Sequence, residues 1–134
     1  MSQESSLLIQ EYYKSNQFQR EIENFTVMKK IGNTVCGDTI QVFLKIEHDT
    51  ITDYSYSGEP SQITKAAAEF FGEYVIGMNI TDILMLDADW IRNEGFEVSH
   101  RRIRSSISAI LATRNALHDY LSDGVIDEYE DLIS

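Results

Sequence analysis

Hydrophobic and polar residues alternate along one stretch in the first half of the chain. In TIQVFLKIE, residues 39–47, every second residue from Ile40 to Ile46 is aliphatic, and Gln41 and Lys45 fall on the opposite side. A period of two is typical of a strand with one buried face. HDT follows as a turn, and ITDYSYS is predicted to return as an antiparallel strand. FTVMKK, upstream, is a candidate first strand, so the pattern predicts an antiparallel meander.

Apolar residues follow a helical spacing in other parts of the chain. The N-terminal SSLLIQEYYKS has the pattern of a short amphipathic helix. Gly58 and Pro60 break the last strand, and Ser61 is a suitable N-cap for the alanine-rich helix that follows. Gly77 lies just beyond the predicted end of that helix. TDILML is predicted to form one or two helical turns.

A longer helix is predicted from Ser99 onwards. Its apolar stripe consists of Ile103, Ile107, Ile110, Leu111, Leu117 and Leu121. Strands that precede helices along the chain indicate an α+β fold, in which a small three-stranded antiparallel sheet carries helices mainly on one face. We expect a single domain over residues 1–134. Its core is expected at about 5–121, followed by an acidic C-terminal tail or a short helix at 122–134.

Composition and charge exclude several classes of partner. A chain of 134 residues suits one domain with a substantial core. Its net charge of −11 disfavours nucleic acids and anionic membranes as partners, and no apolar run approaches the roughly 18 residues of a membrane span. The N-terminus lacks the basic region of a signal peptide, and a single cysteine excludes an internal disulfide. We therefore expect a cytoplasmic protein.

Charge is distributed unevenly along the chain. A basic cluster consists of His100, Arg101, Arg102 and Arg104. The simpler interpretation is a solvated start of the long helix, and the alternative is a site for an acidic partner or an anion.

The other two histidines lie outside this cluster. His48 is in the predicted turn and His118 is near the end of the long helix, and both are expected to face solvent.

Cys36 is the first candidate for chemistry, in the stretch GNTVCGDTI. Gly37 allows the backbone to bend, and Asp38 places a carboxylate two residues from the thiol. A thiolate with a carboxylate is half of an acceptable site for zinc or iron. The alternative is a small buried side chain without chemistry. Nucleophilic triads, P-loops and dinucleotide motifs do not occur, so the sequence does not specify an enzyme.

Three segments of the chain together resemble the IscU/NifU N-terminal (SufU-like) family of iron–sulfur cluster assembly scaffolds. GNTVCGD resembles the family's G-x-N-P-x-C-G-D, with Thr34 in place of the usual proline. YSGEPSQITKAAAEFFGEYVIG is similar to G-x-G-C-x-I-S-x-A-S with its trailing helix, and RRIRSSISAILATRNAL is similar to R-I-x-C-x-x-L-A. The resemblance extends over about residues 5–121 and implies an IscU/NifU-N-like fold.

The same resemblance assigns ligand positions. Cys36 and Asp38 match the family's first cysteine and its neighbouring acid. Ser61 and Ser105 stand at the second and third cysteines, and Arg104 stands at the basic or histidine position before the third. A serine hydroxyl is not ionised near neutral pH and is a poorer ligand than a thiolate for iron and zinc. The resemblance therefore implies a labile site for an iron–sulfur cluster, iron or zinc at Cys36 and Asp38, or no bound metal.

Three functions are compatible with these residues. A scaffold would accept sulfur on Cys36 from a cysteine desulfurase and handle iron or a cluster transiently. Its missing ligands would come from another assembly protein or from a second subunit of a homo-oligomer. A degenerate scaffold would bind a desulfurase or other assembly factor without cluster chemistry, and a thiol enzyme such as a sulfurtransferase would need an activated Cys36. The breadth of the resemblance favours the first function, without enzymatic activity.

Overall fold

The computed structural model describes residues 6–33 and 37–133. Its strands are β1 (Val27–Asn33), β2 (Asp38–Glu47) and β3 (Thr50–Ser57), which pair antiparallel in the order β1-β2-β3. The turn between β2 and β3 places His48 and Asp49 at φ values of 52° and 59°, as a two-residue hairpin loop with the twist of the strands requires. The predicted meander is therefore confirmed, and His48 is exposed as expected.

The described helices include the predicted ones and one short helix, at residues 88–93, that the sequence pattern did not predict. They are α1 (Ser6–Lys14), α2 (Gln62–Val75), α3 (Ile80–Ile83), α4 (Ala88–Asn93), α5 (Ile103–Leu121) and α6 (Tyr129–Leu132). A 3₁₀ turn, His100–Arg102, leads directly into α5. Within the described part of the chain, each helix is too short or too polar to cross a membrane.

The core lies between one face of the sheet and helices α2 and α5. Alternate residues of β2, including Val42 and Leu44, are completely buried on this face, and so are Tyr54 and Tyr56 of β3. The Tyr54 hydroxyl donates a hydrogen bond of 3.0 Å to the carbonyl oxygen of Ala68 in α2. The predicted α+β architecture, with helices mainly on one face, is thereby confirmed.

Two predictions about α5 are wrong. Leu121 is not part of the buried stripe, because α5 ends there and the side chain is 43% exposed. His118 does not face solvent, because only 9% of its surface is exposed. Residues 123–133, hereafter the C-terminal strap, fold back over α5 and cover this histidine. The strap ends in the short helix α6, one of the two alternatives for this region, and its Leu132 reaches the hydrophobic core.

Candidate functional site at the start of helix α2

The Asp38 carboxylate lies in direct contact with the residue that precedes α2. The backbone N–H of Ser61 donates to Asp38 Oδ1 at 2.9 Å, and the Ser61 hydroxyl lies 3.1 Å from Asp38 Oδ2. Thr64, one helical turn further on, donates from its hydroxyl to the same Oδ2 at 3.2 Å. One carboxylate therefore binds three donors, two of them hydroxyls.

Local pairing of the chain brings these residues together. The residues that follow β3 run beside the start of β2, where Thr39 N–H donates to the Glu59 carbonyl oxygen at 3.2 Å and Glu59 N–H donates to the Thr39 hydroxyl at 3.1 Å. Gly58 makes this approach feasible, because its φ is +110° and a Cβ there would lie 2.9 Å from the Thr39 carbonyl oxygen. The residues that follow β3 thus place Ser61 beside Asp38.

Ser61 is the backbone N-cap of α2, as predicted, but its side chain does not cap the helix. Its φ and ψ of −64° and 171° are the extended values of an N-cap, while its hydroxyl turns towards Asp38 and Thr64 instead of a helix N–H. The Asp38 carboxylate lies at the same end of the helix. A negative charge is stabilised there because the helix dipole is positive at its N-terminus.

The other predicted site residues have different surroundings. Cys36 lies outside the described residues. Ser105 is half-buried in the first turn of α5. Arg104 is directed towards the C-terminal strap, where its Nη2 pairs with Glu130 at 2.6 Å and its guanidinium lies 5.1 Å from the centre of the Tyr129 ring. The structure thus brings Asp38 and Ser61 together and engages Arg104 elsewhere.

The ligand groups that the described residues offer at Asp38 do not by themselves fit a resident metal ion or cluster. They are one carboxylate and two neutral hydroxyls, whereas iron–sulfur clusters and structural zinc sites are held mainly by thiolates. Among residues 6–33 and 37–133, no group of three or more His, Cys, Asp or Glu side chains is arranged to hold a metal ion. Because the chain has one cysteine, Cys36 could add only a single thiolate.

Thr64 is a partner of Asp38 that the sequence interpretation did not single out. Residues three apart in a helix share a face, so the interval from Ser61 to Thr64 is the available signal. That interval alone does not indicate a contact with Asp38, because Asp38 is 26 residues away from Thr64 in the chain.

Comparison with known proteins decides the family. The model of the family described as NifU-like N terminal domain matches residues 5–125 of this chain. The chain belongs to this NifU-like family. The resemblance inferred from the three sequence segments is thereby confirmed.

Two curated relatives and one solved structure illustrate the range of similar NifU-like proteins. The iron–sulfur cluster assembly scaffold protein IscU of Thermotoga maritima is 31% identical over 78 residues, which are 58% of this chain and 55% of that protein. The zinc-dependent sulfurtransferase SufU of Bacillus subtilis is 27% identical over 79 residues, 59% of this chain and 53% of that protein. The match therefore spans about half the length of each relative.

A crystal structure supports the fold of this NifU-like chain. The structure is of a putative SUF-system scaffold protein from Fervidobacterium islandicum AW-1, and it superposes with a TM-score of 0.68. The alignment covers 82% of this chain and 93% of that one, at 21% identity. At this identity the likeness concerns the fold alone, and it agrees with the predicted IscU/NifU-N-like architecture.

Proposed function

We propose that this protein is a scaffold-like factor of iron–sulfur cluster assembly, which handles iron, sulfur or a nascent cluster transiently as cargo through Cys36 and Asp38. Family membership and the names of its relatives support this process. The observation that carries the proposal is the contact between Asp38 and Ser61. It keeps the Asp38 carboxylate, two residues after Cys36 in the sequence, in contact with the residue where the resemblance places the second ligand.

Cys36 is the sulfur acceptor in this proposal. Its thiolate attacks the terminal sulfur of a persulfide on a cysteine desulfurase, the S–S bond of the donor breaks, and the donor cysteine leaves as a thiolate. The product is a persulfide on Cys36, and no external oxidant or reductant is needed. Asp38 supplies a hard oxygen ligand for incoming iron, once its carboxylate exchanges the hydrogen bonds from Ser61 and Thr64.

The cargo is held weakly because one thiolate and one carboxylate are half of a tetrahedral ligand set. The remaining ligands come from an assembly protein or from a second copy of the chain. A cysteine desulfurase is the partner that this sulfur transfer requires.

The proposal also includes a location and a domain boundary. We place the protein in the cytoplasm, and we treat residues 1–134 as one domain. Although one relative is named a sulfurtransferase, we assign this chain no turnover of its own.

Anaerobic reconstitution tests the proposal. The full chain, Cys36→Ala and a surface control, Ser122→Ala, are purified without oxygen and incubated with ferrous iron and sulfide. Iron and sulfide are then quantified alongside the absorbance spectrum. We expect iron-dependent visible absorbance in the unchanged protein and in the control, and its loss in Cys36→Ala. Equal spectra for all three proteins would overturn the role of Cys36. If the unchanged protein takes up no metal, and Cys36→Ala binds the desulfurase as well as the unchanged protein does, the degenerate scaffold is established instead.

A further inference from the structure

His118 lies between two carboxylates of the C-terminal strap. Its Nδ1 is 2.8 Å from Asp123 Oδ2, and its Nε2 is 2.9 Å from Asp127 Oδ2. A carboxylate oxygen accepts hydrogen bonds, so both ring nitrogens must carry a proton for both contacts to be hydrogen bonds. The geometry is therefore that of an imidazolium, because a neutral ring would turn one lone pair towards a carboxylate.

The surroundings of His118 favour its charged form. Burial alone would lower the pKa of His118, but the hydrogen bonds and charges of Asp123 and Asp127 outweigh burial and raise it. The pKa of Asp123 is lowered, first by the N–H of Val125 and then by His118. Two other charged side chains near this contact are paired: Asp119, the residue after His118, binds Lys29 of β1, and Arg114 binds Asp127.

The two carboxylates that contact His118 are held in place by different numbers of other groups. Asp127 is 7% exposed and is also held by the Arg114 Nε at 2.9 Å, while its backbone exchanges two hydrogen bonds with the side chain of Asn115. The Asp123 side chain is 33% exposed, and on the α5 side it is bound by His118. Loss of one proton from the ring therefore weakens the attachment at Asp123 before the attachment at Asp127.

The strap continues from this point to the start of α5. The Tyr129 hydroxyl lies 2.8 Å from the Ser108 hydroxyl, and Glu130 pairs with Arg104, the residue before Ser105. Between Asp123 and Asp127, the apolar residues Val125 and Ile126 are 47% and 71% exposed. The first part of the strap is thus an exposed apolar turn whose side-chain attachment to α5 is the contact between Asp123 and His118.

We propose that His118 is a protonation-dependent fastener, which holds the turn at 123–126 against α5 when it is charged and releases this turn when it loses its proton. A histidine whose folded pKa is raised stabilises the fastened state fully below its unfolded pKa of about 6.5. The stabilisation is lost as the pH rises through the folded pKa. A pH above the folded pKa is therefore the condition that frees Val125 and Ile126, while Asp127 keeps the rest of the strap in place.

Nuclear magnetic resonance of the full chain tests the fastener. The ring nitrogens of His118 are followed from about pH 6 to pH 9, together with amide hydrogen exchange of residues 123–127, corrected for intrinsic rates. We expect a ring that is doubly protonated below its titration, a titration above about 6.5, and a several-fold loss of amide protection as the ring loses its proton. Amides of residues 107–112, inside α5, serve as the internal reference and should keep their protection.

Three variants make the outcome decisive. In His118→Gln we expect the turn to exchange fast at every pH, and in Asp123→Asn we expect the pKa of His118 to fall and the pH dependence of exchange to weaken. His48→Gln changes an exposed histidine of the β2–β3 turn and should leave both readouts unchanged. If His118→Gln does not fold, Asp123→Asn still decides between the outcomes. The Asp123 side chain is partly exposed, so we expect this variant to fold. A His118 that titrates at or below about 6.5, or a turn whose protection is constant through the titration, would overturn the proposal.

Discussion

Asp38 accepts hydrogen bonds from both the backbone N–H and the hydroxyl of Ser61, across an interval of 23 residues. The acid that resembles a family ligand is thus bound to the serine that stands at a cysteine position. Without cargo, this pair acts as a structural link between the start of β2 and the start of α2. In the proposed function, cargo would compete with that link for the carboxylate and would therefore be held only transiently.

Removing the Asp38 side chain should lower the stability of the protein without cargo. Asp38→Ala removes the carboxylate that accepts from Ser61 and Thr64. Because water can reach the site, we expect a loss of only about 1 kcal/mol in the free energy of unfolding. Urea denaturation measures the change. Asp89→Ala is the matched control, since Asp89 forms an exposed pair with Arg92 three residues away, which should contribute less than about 0.5 kcal/mol. Equal effects of the two substitutions would contradict the structural link.

Restoring thiols at the two serine positions should create tighter metal binding. Ser61→Cys combined with Ser105→Cys supplies two thiolates in addition to Cys36, and we expect tighter zinc or cluster binding than in the unchanged chain. Competition with a chromophoric zinc chelator measures the gain. In the control, Ser122→Cys replaces Ser105→Cys, so the number of cysteines is the same and one thiol lies at the far end of α5. Similar zinc affinity in both double variants would show that Ser105 is not at the site.

The sequence predicted the frame of this fold but not its polar contacts. Alternating residues of β2 and the helical stripe of α5 carry their signal locally, so the meander and the long helix are correct. The burial of His118 depends on how the chain turns back after Ser122, which has a positive φ of 53°. Likewise, Thr64 meets Asp38 only because β2 and the end of β3 run side by side. Contacts of this kind are set by tertiary packing, which local periodicity does not report.

Tyr56→Phe should destabilise the protein through the buried carboxylate of Glu69. The Tyr56 hydroxyl donates to Glu69 Oε2 at 2.7 Å, and this glutamate, which is 1% exposed, also accepts from Phe18 N–H and the Ser15 hydroxyl. Loss of one donor from a buried charge costs about 1.5–3 kcal/mol. Tyr120→Phe, on the surface of α5, should change stability by less than about 0.5 kcal/mol. Urea denaturation of both variants gives the comparison, and equal changes would contradict a stabilising hydrogen bond between Tyr56 and Glu69.

Ser55→Ala should stabilise the protein. The Ser55 hydroxyl is buried and has no hydrogen-bond partner among the described residues, so its removal relieves a desolvation penalty of up to about 1 kcal/mol. Ser108→Ala is the contrasting variant, because the Ser108 hydroxyl lies 2.8 Å from the Tyr129 hydroxyl and donates to the Arg104 carbonyl oxygen at 2.9 Å. We expect Ser108→Ala to lower the thermal midpoint and Ser55→Ala to raise it. A lower midpoint for Ser55→Ala would mean that its hydroxyl is satisfied.

Sulfur transfer to Cys36 tests the central claim most directly. The protein is incubated anaerobically with a cysteine desulfurase and cysteine, and its intact mass is measured before and after reduction with a thiol. The account predicts the addition of one sulfur atom, located on the peptide that contains Cys36 and removed by the reductant. An unchanged mass, while the desulfurase continues to release alanine, would contradict the role of Cys36 as sulfur acceptor.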